Sequence, residues 1–402
     1  MLSLKDVRQA EQRIRPYILK SPCTYSQKLS MATRCELFLK LENFQMTGAY
    51  KQRGAFNKIL KLTEQERQAG VITSSAGNHA QGVAYAAERS GIHATIVMPE
   101  TTPLAKIQGT KKFNPDIVLH GNSYDEAYLK ARELCDANGY TFIHPFNDPD
   151  VIAGQGTVGL ELIEQCPDME TIIVPIGGGG LIAGVAVAIK EWNPKVQIIG
   201  VEAQVIPAMQ KSLEAGQIVD VPYAKTIADG IAVSRVGTNT FPLVQKYVDD
   251  IVTVSEEEIA NAIVLLLEQE KTLAEGAGAV GMAAVYHHKI PRMNNRKTIV
   301  LISGGNIDSN TLSTILERGL AKAGRLASFH VLVPDRPGIL AELSRVIASR
   351  RANILQISHN RSYSKTSLGE AEVEFTIETR GHEHIAEVVQ DLEKDGFIVH
   401  LK

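Results

Sequence analysis

The sequence predicts an α/β fold: a parallel-sheet core followed by a small βαββαβ module. Three observations carry this prediction. Short apolar runs alternate with helical patterns from about residue 36 to 305. One of those runs ends in four consecutive glycines that open an apolar helical pattern. Near residue 325 the alternation changes to shorter strands with one polar face. Alternation of strand and helix gives a parallel sheet covered on both faces, with ligands bound where strands end and helices begin.

In chain order, residues 37–41, 94–98, 116–119, 171–174, 196–201 and 298–302 read as buried strands, and 70–73 is strand-like. Residues 79–90, 123–138 and 256–270 have helical spacing. The module then reads as strand 329–333, turn 334–338, helix 339–350, strands 352–357 and 370–377, helix 384–395 and strand 397–401. That is a two-layer unit large enough for its own core. The expected division is a catalytic domain over 1–318, with a smaller subdomain at about 48–150, a linker over 319–327 and a regulatory domain over 328–402. The linker is helical and basic, so the module is expected to be docked.

The chain has 402 residues, enough for two or three domains, with 44% hydrophobic and 22% charged content. A net charge of -3 gives no electrostatic reason to expect nucleic acid or an anionic membrane. Cys23, Cys35, Cys135 and Cys166 lack C-x-x-C spacing, which favours reduced thiols and argues against a cysteine zinc site. The first ten residues form a charged amphipathic start and not a signal peptide. Residues 172–189 approach the length of a membrane span, but Pro175 and the glycine run would break a single helix there. A cytoplasmic protein is expected.

Lys51 lies in Gly48-Ala49-Tyr50-Lys51-Gln52-Arg53-Gly54-Ala55-Phe56. Small and aromatic neighbours can desolvate its amine, and burial disfavours the ammonium form and leaves a nucleophile for an aldehyde. Gly177, Gly178, Gly179 and Gly180 join a strand to a helix start, where free N–H groups and the helix dipole suit a phosphate. An aldehyde-binding lysine with a phosphate cup describes a site for pyridoxal 5'-phosphate.

Six motifs occur in order: residues 48–56, Ser74-Ser75-Ala76-Gly77-Asn78-His79-Ala80-Gln81-Gly82, His144-Pro145-Phe146, residues 151–157, the glycine run, and Ser303-Gly304-Gly305-Asn306. Over about residues 5–318 the chain resembles the tryptophan-synthase-β-like class of pyridoxal phosphate enzymes, and within it threonine dehydratases (threonine ammonia-lyases). The resemblance implies that Lys51 forms a Schiff base with the cofactor and later removes the substrate α-proton. It implies that Ser75, Ala76, Gly77, Asn78 and His79 form the substrate-carboxylate loop, with Asn78 also on the cofactor's ring oxygen. The glycine run would hold the phosphate, which is expected to protonate the departing hydroxyl, Ser303 would face the pyridine nitrogen, and Gly230 would let the cofactor approach closely. Tyr50 stands where relatives often have Phe. Ala76 stands where serine racemases of this class carry a serine acid/base, which favours elimination over racemisation. Ser75 could equally serve as a helix cap, and Glu275 as a site acid or a cap.

Relatives with a metal site have an acid six residues after the position of Glu202; Ala208 stands there, so no tight metal is expected. The C-terminal Asp335-Arg336-Pro337-Gly338-Ile339-Leu340 with Ala352-Asn353-Ile354 resembles an ACT domain, the amino-acid-sensing module. That resemblance implies an effector site at Pro337, Gly338, Ile339, Asn353 and Ile354, for isoleucine or valine, between paired modules of a homodimer or homotetramer. A dimerisation module without ligand is the plainer alternative. The expected activity is L-threonine deamination to 2-oxobutanoate and ammonia. Serine as a substrate, a non-catalytic amino-acid sensor and a nucleotide-binding regulator remain as alternatives, and so do biosynthetic and catabolic roles.

Overall fold

The computed structural model describes residues 2–361 and 369–402, and the chain divides into two compact units, residues 1–308 and 309–402. Ten strands lie in the first: β1 (Cys23–Tyr25), β2 (Glu36–Leu41), β3 (Val71–Ser74), β4 (Ala94–Met98), β5 (Asp116–Leu119), β6 (Thr141–Phe142), β7 (Thr171–Pro175), β8 (Gln197–Ala203), β9 (Asp250–Val254) and β10 (Lys297–Ile302). They form two sheets, a six-stranded one in the order β1-β2-β10-β7-β8-β9 and a four-stranded one in the order β5-β4-β3-β6. All pairings are parallel except β1 with β2. The predicted strands are all present. The short strands β1 and β6, and β9 behind Asp249 and Asp250, are additions.

Burial explains the sequence pattern. All five residues of β4 and of β7 are buried, so these strands read as continuous apolar runs. The helix Gly180–Trp192 is apolar on nearly every side because it packs between the six-stranded sheet and the helix Pro149–Gln165. The two helices cross with Gly156 against Gly184: a Cβ on Gly156 would lie 2.7 Å from the Gly184 carbonyl oxygen. Alanine at either position would separate the helices and disturb the sheet ends they support.

The second unit opens with the helix Ser309–Lys322. Its sheet comprises β11 (Leu326–Pro334), β12 (Asn353–Asn360), β13 (Glu370–Glu378) and β14 (Ile398–Leu401), ordered β12-β13-β11-β14 and wholly antiparallel. Phe329, Val331, Val333, Val373 and Phe375 alternate inward and meet Ile339, Leu343, Ile347, Val388 and Leu392 from the helices Ile339–Ser349 and His382–Lys394. The βαββαβ order expected from the sequence is therefore the one observed. Among the described residues, no helix is long and apolar enough to cross a membrane.

Candidate active site

The carboxyl ends of β3, β6, β7 and β10 deliver the motif residues. Lys51 precedes the helix Gln52–Ile59 as its N-cap. Its segment is fastened to the end of β10: Tyr50 N–H donates to Ser303 O at 3.1 Å, Gly305 N–H donates to Gly48 O at 2.9 Å, and Ala49 bridges Gly304. The helix Asn78–Arg89 comes so close behind it that a Cβ on Gly82 would lie 3.1 Å from the Lys51 carbonyl carbon. Lys51 Nζ donates to Pro145 O at 2.9 Å. Enclosure lowers its pKa to about 8, with Glu275 opposing the shift. The positive end of the helix adds to the disadvantage of an ammonium at this position.

Ser75, Ala76 and Gly77 form the turn after β3. The helix begins at Asn78 with Gly77 as N-cap and no side-chain cap. Ser75 thus does not cap it, in contrast to the plain reading of that serine; its Oγ accepts the Gly77 N–H at 3.3 Å. The first N–H groups of the helix have no acceptor within it. His79 turns its ring inward, Nε2 to Ile143 O at 2.9 Å, while Nδ1 is buried without a partner. A carbonyl acceptor requires the proton on Nε2. Burial, followed by the Lys51 charge, lowers the pKa of His79 to about 3, so the ring stays neutral. Any contact of His79 with a carboxylate in this turn would come from its main chain.

The glycine run lies between β7 and the helix Gly180–Trp192, with Gly179 at φ +92. A side chain on Gly178 would collide with the Phe146 ring, and one on Gly177 would lie 2.9 Å from Ile231 Cα. Gly178 O accepts Thr240 Oγ1 at 2.6 Å and Gly237 N–H at 3.3 Å. Packing therefore enforces the bare backbone and leaves the helix-start N–H groups for an anion. Gly230 lies in the turn Asp229–Ile231, where a Cβ would be 3.7 Å from Glu275 Oε1. Ser303 ends β10, buried, with only a 3.5 Å contact from Oγ to Ala277 O.

Glu275, left open by the sequence, makes no capping bond to the helix Gly276–Tyr286 that it precedes. Its Oε1 instead accepts Asn78 Nδ2 at 2.6 Å. Burial, then Asp229, raises its pKa to about 7. Asn306 and Pro145 are site residues that sequence reasoning did not assign, although both lie in motifs it singled out, whereas it left Glu275 between a site acid and a cap. Glu202 accepts the N–H groups of Met209 and Gln210 at 2.9 and 2.8 Å, so both its oxygens serve the start of the helix Ala208–Ala215. A lysine amine short of partners, a side-chain-free helix start with open N–H groups and a lone buried hydroxyl suit pyridoxal phosphate.

In the second unit, Gly338 is the N-cap of its helix at φ +90, Ile339 is buried and Ile354 packs on the core edge. Asn353 Nδ2 reaches Glu378 at 3.4 Å. Arg336 is held by Glu342 at 2.8 and 2.7 Å, and Arg361 donates to Asp335 at 3.0 Å.

Comparison with known proteins gives matches to two family descriptions, "Pyridoxal-phosphate dependent enzyme" over residues 14–305 and "ACT domain" over residues 328–397. An L-threonine ammonia-lyase of Thermotoga maritima is 48% identical over 401 residues, covering 100% of both chains. The processed threonine deaminase isoform 2 of Solanum lycopersicum superposes with a TM-score of 0.74 at 39% identity, over 78% of this chain and 86% of that one. Maize serine racemase superposes with a TM-score of 0.75 at 37% identity, over 80% and 98%.

Proposed function

The chain belongs to the pyridoxal-phosphate dependent enzyme family, and we propose that it deaminates L-threonine to 2-oxobutanoate and ammonia by eliminating the β-hydroxyl. The observation that carries this reading is the Lys51 amine, which donates to Pro145 O and has a pKa of about 8. The full-length similarity to an L-threonine ammonia-lyase supports the substrate. When bound, pyridoxal phosphate supplies the electron sink that makes loss of the α-proton feasible. Lys51 Nζ takes that proton, a role suited to an amine poised near working pH. The N–H groups around Ser75, Ala76, Gly77, Asn78 and His79 hold the substrate carboxylate. Gly177, Gly178, Gly179 and Gly180 would hold the cofactor phosphate, Ser303 would face the ring nitrogen and Asn78 the ring oxygen, and Gly230 would leave room beside them.

The Ala76 methyl offers no proton to the face opposite Lys51, which supports elimination over racemisation despite the likeness to a serine racemase. Serine is the second substrate to consider, since one methyl discriminates by only about 1–3 kcal/mol. Regulation is part of the reading: Pro337, Gly338, Ile339, Asn353 and Ile354 bind isoleucine or valine across paired modules of a homodimer or homotetramer. Steady-state formation of 2-oxo acid and ammonia from threonine and from serine, with and without branched-chain amino acids, tests the whole. Absence of product from threonine would end the proposal.

A further inference from the structure

Asn78, Glu275 and Asn306 come from three distant stretches and are joined in one chain of hydrogen bonds. Asn78 starts the helix that follows β3 of the four-stranded sheet, whereas Glu275 and Asn306 belong with the six-stranded sheet. Asn78 Nδ2 donates to Glu275 Oε1 at 2.6 Å, and Asn306 Nδ2 donates to Asn78 Oδ1 at 2.8 Å. Asn306 Nδ2 also donates to Thr47 O at 2.7 Å, and its main chain lies on the side of Glu275 where it favours the ionised carboxylate. Both ends of the Asn78 amide are thus read by the opposite lobe. A flipped amide would set its oxygen against a carboxylate and its N–H against another N–H, so only one orientation survives. That orientation leaves the second N–H of Asn78 uncommitted to this chain of bonds.

The backbone makes room for these three side chains. Gly48 has φ +72, and a Cβ there would sit 2.9 Å from the Asn306 amide nitrogen. A side chain on Gly304 would collide with Glu275. The charged and titratable groups that bear on Glu275 are Asp229, which is ion-paired to Lys106, together with Lys51 and Tyr50.

We propose that Glu275 and Asn306 are positioning residues, a latch between the two lobes that presents one N–H of Asn78 to the Lys51 cleft. The inference rests on the pyridoxal phosphate reading of that cleft and extends it to residues that touch neither cofactor nor substrate. An ionised Glu275 accepts the Asn78 N–H, and its protonation weakens that bond, so the latch loosens as pH falls.

Glu275→Gln, Asn306→Ala and the double variant test this, with the isosteric Asn306→Asp as a further check in case alanine unsettles the fold. Hydrogen exchange of the cofactor-free proteins is read first. Both single variants are expected to speed exchange of the amides at 75–80, and Asn306→Asp at least as much as alanine. In holoenzyme, each lowers kcat/KM for threonine by about ten-fold, the scale of one lost hydrogen bond to a charged group. The double variant is no worse than the worse single one, because the members act as a unit. In the cofactor-free parent, exchange of these amides, corrected for the intrinsic rate, speeds up as pH falls below about 7, a change that Glu275→Gln lacks. Unchanged exchange in both single variants, additive losses in the double variant, or a loosening below pH 7 that persists in Glu275→Gln would each overturn the latch. A parent enzyme inert toward threonine would instead refute the substrate assignment, and the exchange arm would still decide the latch.

Discussion

Lys51 and Arg53 are two residues apart at one helix start, and the fold treats their charges in opposite ways. Arg53 is buried and fully partnered: Nε and Nη2 meet Glu42 at 2.7 and 2.8 Å, and Nη1 meets Glu161 at 2.7 Å. Lys40 completes the cluster, reaching Glu161 at 2.5 Å, Ser21 O at 2.8 Å and Gln165 at 2.9 Å. Burial alone would raise the Glu42 pKa, but Arg53 beside it holds the carboxyl below its usual range. Lys51 has one carbonyl, and Glu275 close by is pushed up to about 7. The paired cluster fixes its charges, while the site leaves its charges ready to change. Where a buried charge lacks partners, chemistry is the better explanation than stability.

The comparison breaks most visibly at Lys51. Replacing it by alanine should lower 2-oxobutanoate formation by at least about 10²–10⁴-fold, the usual worth of a general base. The near-UV circular dichroism and the denaturation midpoint should not fall, because the lost ammonium was poorly solvated. A variant that keeps a tenth of the parental rate would remove Lys51 from the mechanism. Arg53→Met is the converse test. It strands Glu42 in the interior and should cost about 3–5 kcal/mol of stability in urea titration. Adding Glu42→Met should recover much of that loss, whereas equal destabilisation in the single and double variants would show that the ion pair is not the cause.

That contrast also marks what the sequence disclosed. Lys51, the glycine run and Ser303 announce themselves because each has its own local signature, Lys51 at a helix start and the other two after buried strands. β7 and β10 are equally plain, being buried on both faces. The strands β1 and β6, of three and two residues, are too short for any period to show. The Arg53 cluster has no local signature at all: Glu42 and Glu161 are brought to it from opposite sides in sequence. The inward turn of His79 depends on a carbonyl 64 residues away. The same holds for Asn306, whose partner Asn78 is 228 residues distant. Residue type reported what could react, and only the fold reported which way each side chain faces.

The charge states predict a pH signature that sharpens the comparison. Lys51 titrates near 8 when folded, against 10.5 for an ordinary solvated lysine. The unfolded chain therefore binds more protons between those values, and stability from this group rises with pH there. Glu275 is the reverse. With its pKa raised from 4.5 to about 7, the folded form holds the proton longer, and its contribution is lost as pH climbs through that interval. Glu42, lowered, contributes above the ordinary carboxylate range and loses that contribution as pH falls through its folded value. Cofactor-free Lys51→Met should therefore lack the rise above pH 8, and Glu275→Gln should lack the fall below pH 7. Stability profiles by thermal melting that superpose on the parent in both windows would contradict these assignments.

The smallest effect on turnover is expected from changes in the C-terminal module. The C-terminal module buries its own core of Phe329, Val331, Phe375, Leu343 and Val388, so it can hold a ligand turn without help from the active site. At that turn, Gly338 takes φ +90, where a Cβ would meet no atom within 4 Å, so only backbone conformation demands glycine. Arg336 and Asp335 are already paired to Glu342 and Arg361, which keeps their charges off the turn itself. Removing the chain after Gly324 should leave basal threonine turnover unchanged and abolish the response to isoleucine and valine. Gly338→Val should weaken that response without touching the basal rate, because a β-branched residue is strained at positive φ. Initial rates across an isoleucine or valine titration make the test. A truncated enzyme that responds like the intact one would move regulation out of the module and into the catalytic unit.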